Sequence, residues 1–172
     1  MERLQAVLSH PDFAAYLKLN EEQEVNREFC RHQLQHALDV ARIYYILCLE
    51  EGQDGSLLEE LGSGSISQAR ELIYTTALLH DIGRWKQYLN PDLDHAQEGA
   101  ILAEPILQDA GFNQDEIKVG LAAIRAHRNP HARGLGKLLY RADKLSRNCS
   151  KCGARLKCKK LAEMETADCM IY

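Results

Sequence analysis

The chain has 172 residues, 45% of them hydrophobic, and a formal net charge of -4 with both signs spread along its length. That composition suits one folded domain and excludes disorder, and the charge balance argues against nucleic acid as a bulk partner. No apolar run reaches the roughly 18 residues needed to span a bilayer, and Met1-Glu2-Arg3-Leu4-Gln5 lacks the pattern of a signal peptide, so a cytoplasmic protein with reduced cysteines and no membrane contact is expected.

Nearly every segment reads as helix, because Gly and Pro fall between segments and no stretch alternates apolar with polar. A first helix covers Arg3 to Ser9, and His10-Pro11 breaks it; His10 itself reads as a surface residue. A short helix follows from Asp12 to Leu19, then a long one from Glu21 to Glu51 that is apolar on most faces between Leu34 and Leu49. Gly52 to Gly64 is a Gly- and Ser-rich loop. Ser65 with Gln68, Asp94 with Gln97, and Asn113 with Glu116 form capping-box patterns. They open helices ending near Asp81, Gly111 and His127. A turn at Trp85 to Tyr88 and a last core helix, Leu135 to Ser146, complete the set. The fold class is all-α, a compact bundle of about six or seven helices over residues 1–148, with a Cys- and Lys-rich tail over 149–172.

His80-Asp81 closes the apolar run Ala77-Leu78-Leu79 and is the strongest chemical signal. An imidazole beside a carboxylate at a buried helix end is costly unless something pairs with both, and a divalent metal does so. His36 has the apolar neighbours Ala37, Leu38, Val40 and Ala41, which turns it inward, and His32 lies one turn earlier on the same expected helix. Asp143 sits at the edge of the stripe Leu135, Leu138, Leu139, Ala142 and Leu145. Its plain partner is an arginine such as Arg84 or Arg125; a metal shared with His36, His80 and Asp81 is the sharper one. His95 and His127 flank a helical hairpin, where a second metal or a phosphate fits. His131 reads as a loop residue.

In this order, His36, His80-Asp81, His95, His127 and Asp143 resemble the HD-domain superfamily of metal-dependent phosphohydrolases. The stretch Ala77–Gly83 is similar to its signature, His36–Arg42 to its first-histidine helix, and Arg141–Leu145 to its closing-aspartate helix, over residues 25 to 147. The resemblance implies that His36, His80, Asp81 and Asp143 ligate the principal metal. It implies that His95 and His127 are the extra ligands of the binuclear subset. The phosphodiesterases of that subset have two adjacent histidines where His127-Arg128 stands here, so the pattern is nearer to enzymes that split diadenosine tetraphosphate.

The expected cofactor is one or two divalent ions, of iron, manganese, cobalt, nickel or zinc. They would acidify a water to attack a phosphorus. Asp81 is the expected central catalytic carboxylate, and positive charge would come first from Arg84 and Lys144, then Arg128, with Lys86 and Arg147 last. The expected substrate is a small phosphorylated compound, a nucleotide if Trp85 or Tyr88 stacks on a base. Other readings are a nucleotide or metal sensor without turnover and a di-iron oxygenase, and a homodimer is left open. Cys149, Cys152, Cys158 and Cys169 fall short of a paired zinc signature and read as ordinary thiols, ahead of a zinc site. Cys30 and Cys48 read as core residues.

Overall fold

The computed structural model describes residues 1–51 and 55–172, so the start of the expected loop, 52–54, lies outside the described residues. Among the described residues the chain is all-helical. Its elements are α1 (Glu2–Leu8), α2 (Pro11–Gln23), α3 (Leu34–Glu51), α4 (Ser56–Glu60), α5 (Arg70–Leu79), α6 (Arg84–Leu89), α7 (His95–Asp109), α8 (Gln114–Ala126) and α9 (Gly134–Leu145). The tail holds three single 3-10 turns at Cys149–Lys151, Arg155–Lys157 and Leu161–Glu163. No helix among the described residues is long and apolar enough to cross a membrane.

Helix α3 is central and packs mainly on α5 and α9, while α8 packs on α7 and α9. Val40, Ala41, Tyr44, Leu47 and Cys48 on α3 meet Ile73, Leu78, Leu79, Leu139 and Ala142 in one continuous core. Burial of these faces supplies most of the folding free energy, at about 25 cal/mol per Å² of apolar surface.

Local hydrogen bonds start the helices. Asn113 caps α8 with a complete capping box: its side chain accepts from Asp115 N and Glu116 N, and Glu116 Oε2 accepts from Asn113 N, each at 2.9 Å. Asp94 caps α7 through Ala96 N at 2.8 Å, without the reciprocal bond from Gln97. Ser65 accepts from Gln68 N at 3.2 Å, yet α5 begins only at Arg70, after a turn. His10 is more than a surface breaker: Nδ1 caps α2 by accepting from Asp12 N at 3.2 Å, and Nε2 lies 3.2 Å from Asp109 Oδ2.

The expected long helix from Glu21 to Glu51 is two helices. α2 runs on to Gln23, and the chain leaves helical conformation before α3 begins at Leu34. The cause is Glu24, a fully buried carboxylate that must find donors. It accepts the His32 backbone N–H at 2.6 Å and pairs with the His32 ring, so the segment folds back on itself. His32 therefore meets His36 edge-on, ring centroids 5.5 Å apart, from a loop rather than from one helical face.

Candidate metal centre

Asn20 on α2 holds the turn that carries His80 and Asp81. Its buried side chain donates to Asp81 O at 3.0 Å and accepts from Trp85 N at 2.7 Å. On the other side, Gly83 lies so close to α7 that a Cβ on it would fall 2.3 Å from Gly99 N. This approach sets the His80-Asp81 turn against the N-terminus of α7, where His95 is the first residue. α3 contributes His36, the end of α8 contributes His127, and α9 contributes Asp143.

Two groups of ligand atoms form, each with all members within 4.8 Å of one another: His36, His80, Asp81 and Asp143, and Asp81, His95 and His127. Asp81 belongs to both. Its Oδ2 is 3.2 Å from His80 Nε2 and 3.8 Å from His36 Nε2, while Oδ1 is 3.1 Å from His95 Nε2 and 3.5 Å from His127 Nε2. Asp143 Oδ1 is 3.2 Å from His36 Nε2 and 4.0 Å from His80 Nε2. All six expected ligands thus converge from α3, α7, α9 and the ends of α5 and α8.

The imidazoles are oriented from behind. His80 Nδ1 lies 2.6 Å from Ala77 O, His127 Nδ1 2.7 Å from Ile124 O, and His95 Nδ1 2.6 Å from Gln87 Oε1. A proton on each Nδ1 satisfies these acceptors and leaves Nε2 as a lone pair directed inward. His80 Nε2 and Asp81 Oδ1 are buried without a hydrogen-bond partner, which costs about 1–3 kcal/mol for each group. Lone pairs with no donor, ringed by carboxylates, fit a divalent cation.

The protonation states agree. Burial would raise the carboxyl of Asp81, but His80, His32 and His127 hold it well below the ordinary value. Burial would also raise Asp143, but Arg147, His36 and Lys144 keep it ionised. Burial, then the Arg147 charge, lowers His36 to about 4, and burial with Arg84 lowers His95 to about 4 against the pull of Asp81. His80 moves the other way: burial opposes its charge, but adjacent Asp81 outweighs that and raises it. Neutral His36 and His95 beside ionised Asp81 and Asp143 are the form that binds metal, while His80 must give up its proton on ligation.

The cations are ranked differently by the structure than by the sequence. Arg147, placed last, is closest: its Nη2 lies 2.8 Å from His36 Nε2 and donates to Asp143 Oδ1 at 2.9 Å. Lys144 donates to Asp143 Oδ2 at 3.1 Å, and Arg84 Nη1 lies 3.2 Å from His95 Nε2 and 3.9 Å from Asp81 Oδ1. Arg128 pairs with Asp94 at 3.0 Å and Lys86 with Glu98 at 2.7 Å. Asp143 therefore takes its arginine from its own helix end, not from Arg84 or Arg125.

Trp85 and Tyr88 are engaged within the fold. Trp85 stacks on Tyr16 with centroids 6.5 Å apart, and Tyr88 donates to Glu24 at 2.6 Å. His131 is exposed. Beside the ligands opens a cleft of about 560 Å³, lined by eight Lys or Arg side chains against Asp81, Asp143 and Glu163. Lys157, Lys159 and Lys160 of the tail are among the eight, so the tail forms part of the cleft wall. Glu24, Asn20 and the tail lysines are the contributors that sequence reasoning missed. Only the acid run before His32 hinted at Glu24.

The HD domain family model matches residues 34–148. The chain is similar to a protein of Clostridium beijerinckii described as an uncharacterized protein, 38% identical over 152 residues, which cover 88% of each chain. No solved structure matches.

Proposed function

Because the chain belongs to the HD domain family, we propose that it is a metal-dependent phosphohydrolase that cleaves a phosphate ester or phosphoanhydride of a nucleotide-like substrate. The observation that carries this reading is the division of Asp81, one oxygen toward each ligand group. A carboxylate so placed would help to hold a cation in each group. His36, His80 and Asp143 would complete one site and His95 with His127 the other. Divalent ions bound there supply Lewis acidity and lower the pKa of water near neutral pH.

The protein's own groups account for the rest. The basic cleft favours a multiply charged anion over a neutral substrate. Arg84 and Lys144 lie beside the carboxylates, placed to offset charge on phosphoryl oxygens, and Arg147 joins them. With Trp85 and Tyr88 engaged elsewhere, contact to a base falls to Tyr140 and Phe29, which line the same cleft. Dinucleoside polyphosphates suit a cleft with positive charge on both α9 and the tail.

The test is metal analysis of the purified protein, followed by phosphate release from dinucleoside polyphosphates, nucleoside mono- to triphosphates and cyclic nucleotides with manganese, iron, cobalt, nickel or zinc. Turnover of at least one nucleotide class that Asp81→Ala abolishes is expected. Inactivity toward every member with every metal would overturn the reading.

A further inference from the structure

We propose that Cys30, Cys149, Cys152 and Cys158 hold an iron–sulfur cluster of the four-iron type, directly beside the His and Asp centre and with ligands of its own. These four cysteines line one cavity of about 390 Å³, although Cys30 precedes α3 and the others follow α9. The remaining two are excluded from it: Cys48 is buried in the α3 core, and Cys169 is exposed. Cys30 is thus not the core residue its helical neighbourhood suggested; it is exposed in the segment between α2 and α3. No cysteine is engaged in a disulfide.

Local structure presents the thiols together. Cys149 opens a 3-10 turn and Cys152 closes it; Arg155–Lys157 forms the next such turn and Cys158 closes that one. Single turns of this kind bring a C-x-x-C pair and a third cysteine to one side of the chain. Arg31, Arg147 and Arg155 line the same cavity against Glu28 and Asp39, a lining with more cations than carboxylates beside a thiolate-bound anionic cluster.

The spread of the sulfurs around the cavity favours a cluster over a single ion. A tetrahedral zinc with Zn–S near 2.3 Å needs sulfurs about 3.8 Å apart. The ligand groups whose atoms lie within 4.8 Å of one another among the described residues are the two built on Asp81, and neither contains a cysteine. No three of the four sulfurs therefore lie within 4.8 Å of one another, against about 3.8 Å around one zinc ion. A cube of alternating iron and sulfide, with one thiolate on each iron, would hold four cysteine sulfurs further apart around a cavity. Each thiol gives up its proton on ligation. Placed here, the cluster fastens Cys30 and the tail across His36, which lines the same cavity.

The experiment is anaerobic purification of the full chain, with reconstitution by ferric iron, sulfide and a dithiol that reduces part of the iron to the ferrous state. Acid-labile sulfide, iron content, visible charge-transfer absorption and Mössbauer spectra are then measured. Roughly four sulfides per chain are expected. Cys30→Ser, Cys149→Ser, Cys152→Ser and Cys158→Ser should each lose most of the sulfide and colour, while Cys169→Ser keeps both. His80→Ala should lose the other metal and retain the sulfide, which separates this centre from the phosphohydrolase reading. Circular dichroism identifies any variant that fails to fold, and in that case wild-type sulfide content decides. A wild-type protein without labile sulfide after reconstitution overturns the proposal, as does a single zinc ion held by the four thiols.

Discussion

Glu24 grips His32 twice, accepting its backbone N–H at 2.6 Å and pairing with its ring Nδ1, which leaves His32 Nε2 3.8 Å from Asp81 Oδ2. Burial would raise the Glu24 carboxyl, but His32 and Tyr88 outweigh it and lower it to about 2. The pair is a carboxylate-oriented imidazole facing the basic cleft without belonging to either ligand group. His32→Gln is expected to lower kcat by about 10²-fold or more, the range for loss of a proton-transfer group. Metal content should stay at the wild-type level. Loss of metal in that variant would make His32 a ligand instead.

Asp81→Ala should remove metal and turnover together, since both ligand groups depend on that carboxylate. Helical circular dichroism should persist, because the continuous apolar core carries the stability. A metal-free variant that still hydrolyses substrate would contradict this role.

His95→Ala and His127→Ala should each reduce the metal content from about two ions per chain toward one, and leave the group on His36, His80 and Asp143 able to bind. Elemental analysis after equilibrium dialysis measures this. Two full equivalents in both variants would overturn the assignment of His95 and His127 to a second ion.

Without metal, the protein should lose stability as pH falls from about 6.5 toward 4. His36 and His95 have folded values near 4, and burial also lowers His32, so the unfolded chain takes up protons first over that range. Their stabilisation is complete above the unfolded value and disappears as pH drops through the folded one. His80 opposes this, because its raised value stabilises the folded state at lower pH, but it is one group against three. Thermal melts of chelator-treated protein across this range should show a falling Tm. A flat or rising Tm would contradict the balance of these shifts.

Gly83→Ala should destabilise the fold by about 1–3 kcal/mol through overpacking. The added Cβ would meet backbone, 2.3 Å from Gly99 N and 2.8 Å from Glu98 C, and cannot be accommodated by a side-chain rotation. Metal affinity should fall with it, because His95 and the His80-Asp81 turn separate when α7 moves. Denaturant unfolding with and without added metal reads both effects.

The sequence alone determined most of the helices and the chemistry of the candidate ligands, but it read α2 and α3 as joined, placed the short helix Ser56–Glu60 in a loop and reduced Arg84–Leu89 to a turn. Periodicity and the Asn113–Glu116 box act over a few residues, and the ligand types in His36, His80-Asp81, His95, His127 and Asp143 are intrinsic to those side chains. What only the tertiary structure decided depends on groups distant in the chain. Asn20 holds the Asp81 turn from α2, and Glu24 interrupts what reads as one long helix. Arg147 outranks the other cations because the end of α9 lies beside His36. Cys30 meets the tail cysteines only after α3 and α9 pack together. Such pairings are set by burial and by satisfaction of buried polar groups, quantities defined only once the surrounding chain is in place.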